Sequence, residues 1–288
     1  MSERLHHPRA QGEPAPMTAS TDRRPSPRLL PRLMSRLLPQ LLHGVAILAL
    51  AAGLSQATGA QAQDGWRFQV TPYAWAPSLS GNARPRPTVP TVSFDRSFRD
   101  IFENLDGAFF LNGTARYDRF VIFGDFTWSA VSEEERIALP FAPFGFDVHG
   151  QVRQLSATLA AGYSVVDTPD VTLDLMGGAR LWHLDASVNI QAAGLAASKS
   201  DTWLDPVAAA RVRWQFAPDW SAIGYADIGG FGAGSELTWQ AVGTLNYRVT
   251  DSLFLSAGYR HMFLDYDRGG MQLDIDMSGP LAGVTYRF

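Results

Sequence analysis

The sequence predicts a closed antiparallel transmembrane β-barrel of about ten strands, with eight or twelve as alternatives. Three observations predict it. Apolar residues alternate with polar ones from Gly65 onward, with turn residues between segments. One parity of every segment is free of charge. No run of 18 apolar residues follows residue 64, which excludes a bundle of membrane helices. A barrel escapes that exclusion because only alternate strand residues face lipid.

The N-terminal part reads as an address rather than a fold. Leu41 to Leu54 is a short apolar run that follows Arg36 and precedes Ala60-Gln61-Ala62. These are the three regions of a secretory signal, with cleavage expected after Ala62. An anchored helix is the alternative, but the run is short for a span. Met17 or Met34 are alternative starts. The expected organisation is therefore residues 1–62 as extension and signal, and 63–288 as the barrel. Seven of the 24 basic and three of the 28 acidic residues lie in residues 1–63, so the remainder holds 17 and 25 and carries a net charge of −8. That balance excludes nucleic acid as the main partner. With no cysteine in the chain, disulfides, thiolate metal sites and thiol nucleophiles are excluded.

The segments follow in order. The first places Trp66, Phe68, Val70, Pro72 and Ala74 on the lipid side and Arg67, Gln69, Thr71, Tyr73 and Trp75 inside. The second runs from Phe109 to Tyr117, the third from Phe120 to Ser129, the fourth from Gln154 to Tyr163 and the fifth from Val171 to Leu181. The sixth runs from Val207 to Phe216, the seventh from Trp220 to Ile228, the eighth from Leu237 to Arg248, the ninth from Leu253 to Arg260 and the tenth from Leu281 to Phe288. A charge on the lipid row would cost about 2–4 kcal/mol at mid-bilayer, so its absence there is informative. Short connections at Asp118-Arg119, 166–170, 217–219 and 249–251 alternate with longer ones at 80–106, 132–150, 189–203, 229–236 and 264–271. Strands running into the short turns end on Tyr117, Tyr163, Trp214, Phe216, Tyr247, Tyr286 and Phe288, which reads as an interfacial aromatic girdle.

The closing segment Gly283-Val284-Thr285-Tyr286-Arg287-Phe288 resembles the C-terminal strand of Gram-negative outer-membrane proteins. In those proteins it implies recognition by the barrel assembly machinery. Thr71 to Gly81 and Ala226 to Gln240 resemble a family of uncharacterised proteobacterial outer-membrane barrel proteins. That resemblance implies an outer-membrane location, with outer-membrane lipids and lipopolysaccharide as partners. It brings no catalytic residues.

Candidate chemistry is sparse. Arg116, Asp125, Asp174, Arg180, Arg211, Arg213, Asp227, Arg248, Arg260 and Arg287 are expected to line the lumen. They suit either a polar path selective for anions or a plug of opposite charges that satisfy one another. Ten strands lie nearer the filled than the open end of barrel sizes. The main expectation is a structural or narrow-channel, porin-like barrel. The alternative is a hydrolase or lipid-modifying barrel using His149, His183 and His261 beside Asp147, Asp185 and Asp265, although parity turns His183 and His261 outward. Glu133-Glu134-Glu135 reads as a solvated loop rather than a cation site. Asp227 to Ser235 is glycine-rich but precedes a strand, so it reads as a hairpin and not a phosphate loop. No catalytic set, metal site or cofactor motif emerges, and the oligomeric state is not legible.

Overall fold

The computed structural model describes residues 65–84, 91–138, 145–190 and 195–288. The signal assignment lies outside them. The strands are β1 (Trp66–Trp75), β2 (Ser78–Arg84), β3 (Val92–Arg96), β4 (Leu105–Tyr117), β5 (Phe120–Ala138) and β6 (Gly145–Asp167). They continue with β7 (Val171–Ile190), β8 (Leu195–Ala217), β9 (Trp220–Gly230), β10 (Leu237–Arg248), β11 (Leu253–Arg268) and β12 (Met271–Arg287). One short helix, α1 (Phe98–Glu103), separates β3 from β4.

Ten of these strands form a closed antiparallel barrel. β1 and β4 to β12 pair in sequence, and β1 returns to pair with β12. Tyr73 faces Gly283 and Gln69 faces Arg287 across that seam. β2 continues β1 along β12 in unbroken register, with Ser78 opposite Ser278 and Arg84 opposite Gln272. The interruption at Ala76-Pro77 is minor, because the Ala76 amide still donates to the Pro280 carbonyl at 3.0 Å. β3 adds to the free side of β2. Among the described residues no ladder joins β3 to β5, and Arg96 bridges that gap to Glu133 at 3.1 Å. α1 starts in a capping box, Ser97 and Asp100 bonding each other's backbone amides. The Ser97 donors hold the Asp100 carboxyl below its usual range.

Alternation dictates the two faces of the wall. On β5, Val121, Phe123, Asp125 and Thr127 are buried inside, while Phe120, Ile122, Phe126 and Trp128 line the outside. The same parity runs round the barrel. Aromatic residues gather outside at the rim of the short turns. Trp66 packs on Tyr117 at 5.4 Å, Phe68 on Phe288 at 5.7 Å and Trp220 on Tyr247 at 5.0 Å. A second outer row follows eight residues along, at Phe109, Trp128 and Trp239. Eight residues are about 26 Å of strand, or about 20 Å of height at a strand tilt near 40°, so the two rows bracket most of the roughly 25 Å apolar band of a membrane barrel. Charges return to the outer row just beyond it, at Arg153, Asp185, Asp265 and Asp276.

Leu159, 64% exposed, sits midway up that band with Gly124 and Ala179 beside it. Leu159→Arg is expected to lower unfolding stability by about 2–4 kcal/mol. Urea titration of the protein in lipid vesicles measures it, and an unchanged midpoint would place the band elsewhere.

The connections on the far rim depart from the sequence expectation. Much of 132–150 and 189–203 belongs to β5, β6, β7 and β8. The segment expected at 264–271 is a turn of two residues, Gly269 and Gly270, both with positive φ. Glu133 to Glu135 accordingly lie within β5 and not in a loop. The physical reason is an inversion of pattern. Below the second aromatic row the strands are apolar outside and polar inside. Above it they are polar outside and apolar inside. On β11, Asp265 and Asp267 face out while Met262, Leu264 and Tyr266 are buried within. The period persists, but the face that carries the apolar residues changes.

Candidate functional site

The interior has three levels. At the far rim it is an apolar core. Trp182, Trp203, Met262, Leu264, Tyr266 and Leu273 form its centre, and Trp203 packs on Tyr266 at 4.1 Å. The β9–β10 connection folds down onto it. Ser235 is fully buried, and Asp205 accepts from its amide at 2.6 Å and from its hydroxyl at 2.7 Å. The Trp203 indole N–H donates to the same hydroxyl at 2.8 Å. Gly234 is required here because a Cβ would stand 2.4 Å from an Asp205 carboxylate oxygen. The glycine-rich stretch thus serves as an inward cap. The far rim outside is acidic; burial, with Asp274, Glu236 and Asp267 nearby, raises the Asp265 carboxyl above its usual range.

The middle level is a layer of buried ion pairs. Arg180 on β7 reaches Asp227 on β9 at 2.5 Å, both side chains fully buried. It also donates to Thr158 at 2.9 Å and to Thr238 at 3.1 Å. Asp227 accepts further from the Tyr225 hydroxyl at 2.7 Å and from Gln240 at 2.6 Å. Arg260 on β11 pairs with Asp125 on β5 at 3.0 Å and stacks over Trp75 at 4.8 Å. Tyr73 bridges that pair, donating to Asp125 at 2.8 Å and accepting from Arg260 at 2.6 Å. Such pairs need their remaining hydrogen bonds to offset desolvation; the surrounding Thr, Tyr and Gln supply several, while Asp227 Oδ1 and Arg260 Nε have no hydrogen-bond partner.

The third level opens toward the short turns. Arg116 pairs with Asp174 at 2.6 Å and donates to Ser164, and Arg211 lies 3.6 Å from the same carboxylate. Below them a cavity of about 470 Å³ is lined by Arg67, Arg116, Arg211, Arg213 and Arg287. It reaches the rim at Asp167, Thr168 and Pro169 in the β6–β7 turn. Arg248 stands apart on the rim, exposed and paired with Asp219 at 2.9 Å.

The lumen set therefore divides. Asp125, Arg180, Asp227 and Arg260 form the middle layer; Arg116, Asp174 and Arg211 form the layer beneath; Arg213 and Arg287 face the cavity; Arg248 belongs to neither. The girdle residues Tyr117, Tyr163, Trp214, Phe216, Tyr247, Tyr286 and Phe288 are all exposed on the outer wall, with Phe68, Phe120 and Trp220 exposed and Trp66 half-buried among them. Sequence reasoning passed over Arg67 as a cavity residue, and Trp203, Asp205 and Tyr266 as the cap. Parity signals both: Trp203 and Asp205 continue the inward row of Val207 and Ala209.

The histidines do not converge. His183 hydrogen-bonds Thr202 at 2.8 Å on the outside of β7. His149 lies opposite Asn189, six residues farther along that strand. His261, on β11, is four strands away, stacked on Trp239 and 3.2 Å from Asp276 rather than Asp265. Asp147's side chain lies outside the described residues.

No protein-family model matches the chain, and no curated protein matches it significantly. Among solved structures it is similar to the outer-membrane protease OmpT of Escherichia coli, at 11% identity, covering 80% of this chain and 99% of that one, with a TM-score of 0.44. It is also similar to the translocator domain of the autotransporter NalP from Neisseria meningitidis, at 12% identity, 88% and 98% coverage and a TM-score of 0.43. A third is Ail of Yersinia pestis, at 14% identity, 78% and 100% coverage and a TM-score of 0.32. At such identities the likeness concerns architecture alone, and the closed ladder itself defines the class: a ten-stranded antiparallel β-barrel.

Proposed function

We propose that this chain is an outer-membrane protein whose barrel serves as a closed structural wall and not as a conducting pore. The short-turn rim faces the periplasm, the apolar band meets the membrane lipids, and the extended far strands stand outside among lipopolysaccharide. The observation that carries this reading is the pair of buried salt bridges across the middle of the lumen, Arg180–Asp227 and Arg260–Asp125, beneath an apolar core. Ions crossing that layer would have to displace charged side chains that pair across it in a medium of low dielectric. The resemblance of the closing strand to outer-membrane proteins supports the location and assembly by the barrel machinery.

Planar-bilayer recording of the purified, folded protein tests the reading. The expected record is flat at the level of the empty bilayer under either polarity. Steady unitary steps would overturn it in favour of a narrow channel.

A further inference from the structure

We propose that the arginine-lined cavity at the short-turn rim is a binding site for a polyvalent oxyanion of the phosphate class. Five arginines line it, Arg67, Arg116, Arg211, Arg213 and Arg287, and Asp167 is the one carboxylate among its lining residues. Asp174 lies behind Arg116 and Arg211 and is shared between them. Even with both carboxylates counted, cationic charge is in excess. Arg67, Arg213 and Arg287 form no ion pair among the described residues. Arg213 donates to the neutral amide of Gln215 at 2.6 Å, and Arg287 rests over the Phe254 ring at 4.3 Å.

Arg211 is buried and Arg213 half-buried, while Arg67 and Arg287 are exposed at the mouth; like charges gathered this closely around one hollow repel one another. A multiply charged anion relieves that repulsion. Guanidinium forks suit its oxygens, offering two parallel N–H donors each. The three arginines without carboxylates come from β1, β8 and β12, so a ligand with several oxygens is matched better than a single carboxylate. The hollow also continues inward. A smaller space of about 110 Å³ shares Arg211, Arg213 and Arg287 with it and extends to Gln240 and Arg260. Both side chains are almost wholly buried, and the Arg260 Nε donor has no hydrogen-bond partner.

The test is calorimetric titration of pyrophosphate into the folded protein in a maltoside detergent. Saturable binding of one anion per barrel is expected, weakened by about tenfold or more in Arg213→Gln and in Arg287→Gln. Arg248→Gln, outside the cavity and paired with Asp219, is expected to bind as the parent does. Heat-modifiable gel mobility checks that each variant is folded. No saturation at millimolar pyrophosphate overturns the proposal. So does an equal loss in all three variants, which would mean general surface charge. A second titration, in micelles doped with cardiolipin, whose headgroup carries two phosphates, separates the two sources of such a ligand. Competition by the lipid identifies a headgroup, and its absence a soluble anion; either supports the site. The outcome is independent of the closed-wall reading, since conductance would overturn that reading alone and absent binding would overturn this one alone.

Discussion

Arg180→Ala is expected to destabilise the barrel by about 3–5 kcal/mol, because it strands the Asp227 carboxylate in the middle of the lumen. Both partners are fully buried. Removing the guanidinium takes away the pairing charge together with the bonds to Thr158 and Thr238. Tyr225 and Gln240 still donate to Asp227, but two neutral donors do not replace a guanidinium in a medium without mobile water. The informative comparison is the double replacement Arg180→Met with Asp227→Leu. It removes both charges, keeps volume, and is expected to recover most of the loss. Urea unfolding of single and double variants in vesicles gives the numbers. If the single variant unfolds at the parent midpoint, water reaches this layer and the lumen is not sealed there.

The second large effect is expected at Gly178. It lies opposite Ala160 on the seam between β6 and β7. A Cβ built on it would stand 2.1 Å from the Leu159 carbonyl oxygen and 2.5 Å from the Ala160 Cα. Both contacts are to backbone, so no side chain can turn aside to make room. Gly162 on β6 meets the same obstacle at the Leu175 carbonyl, 1.9 Å away. Glycines in this arrangement let two strands bend closely past one another as the wall curves. Gly178→Ala is therefore expected to cost at least the ~3 kcal/mol upper range of overpacking, and to yield protein without the compact, heat-modifiable gel form. Gly243→Ala is the control, because a methyl added there would meet nothing within 4 Å. A normal gel shift for Gly178→Ala would mean that the two strands can part without opening the barrel.

How much was legible follows from what each signal depends on. The face of each strand residue is local. It repeats every two residues and needs no knowledge of neighbours, so Asp125, Arg180, Arg211 and Arg260 could be turned inward from the sequence alone. An apolar outer band sharpens the signal, because a charge on the outward parity is penalised most at its middle. The row of outward aromatic residues beside the short turns was legible for the same reason, as an end-of-strand feature.

The far half was misread because the rule changes sign there. Leu184 and Ala186 face in while Asp185 and Ser187 face out, the reverse of the pattern a few residues earlier. A search for an uncharged outward row stops at Leu181 or Tyr259 and hands the remainder to loops. The strands in fact continue, since their hydrogen-bond ladder is indifferent to which side is wet.

By itself the sequence determined the alternation, the short-turn rim, the apolar band and the sign of charge inside. Only the tertiary structure decided what those charges do. Arg180 meets Asp227 from two strands away, and Arg260 meets Asp125 from 135 positions earlier in the chain. Partners across a lumen are set by closure and stagger of the whole sheet, which no local period encodes. Closure also left Arg67, Arg213 and Arg287 around one hollow without ion-pair partners among the described residues, and turned a row of inward apolar residues into the core at the far end.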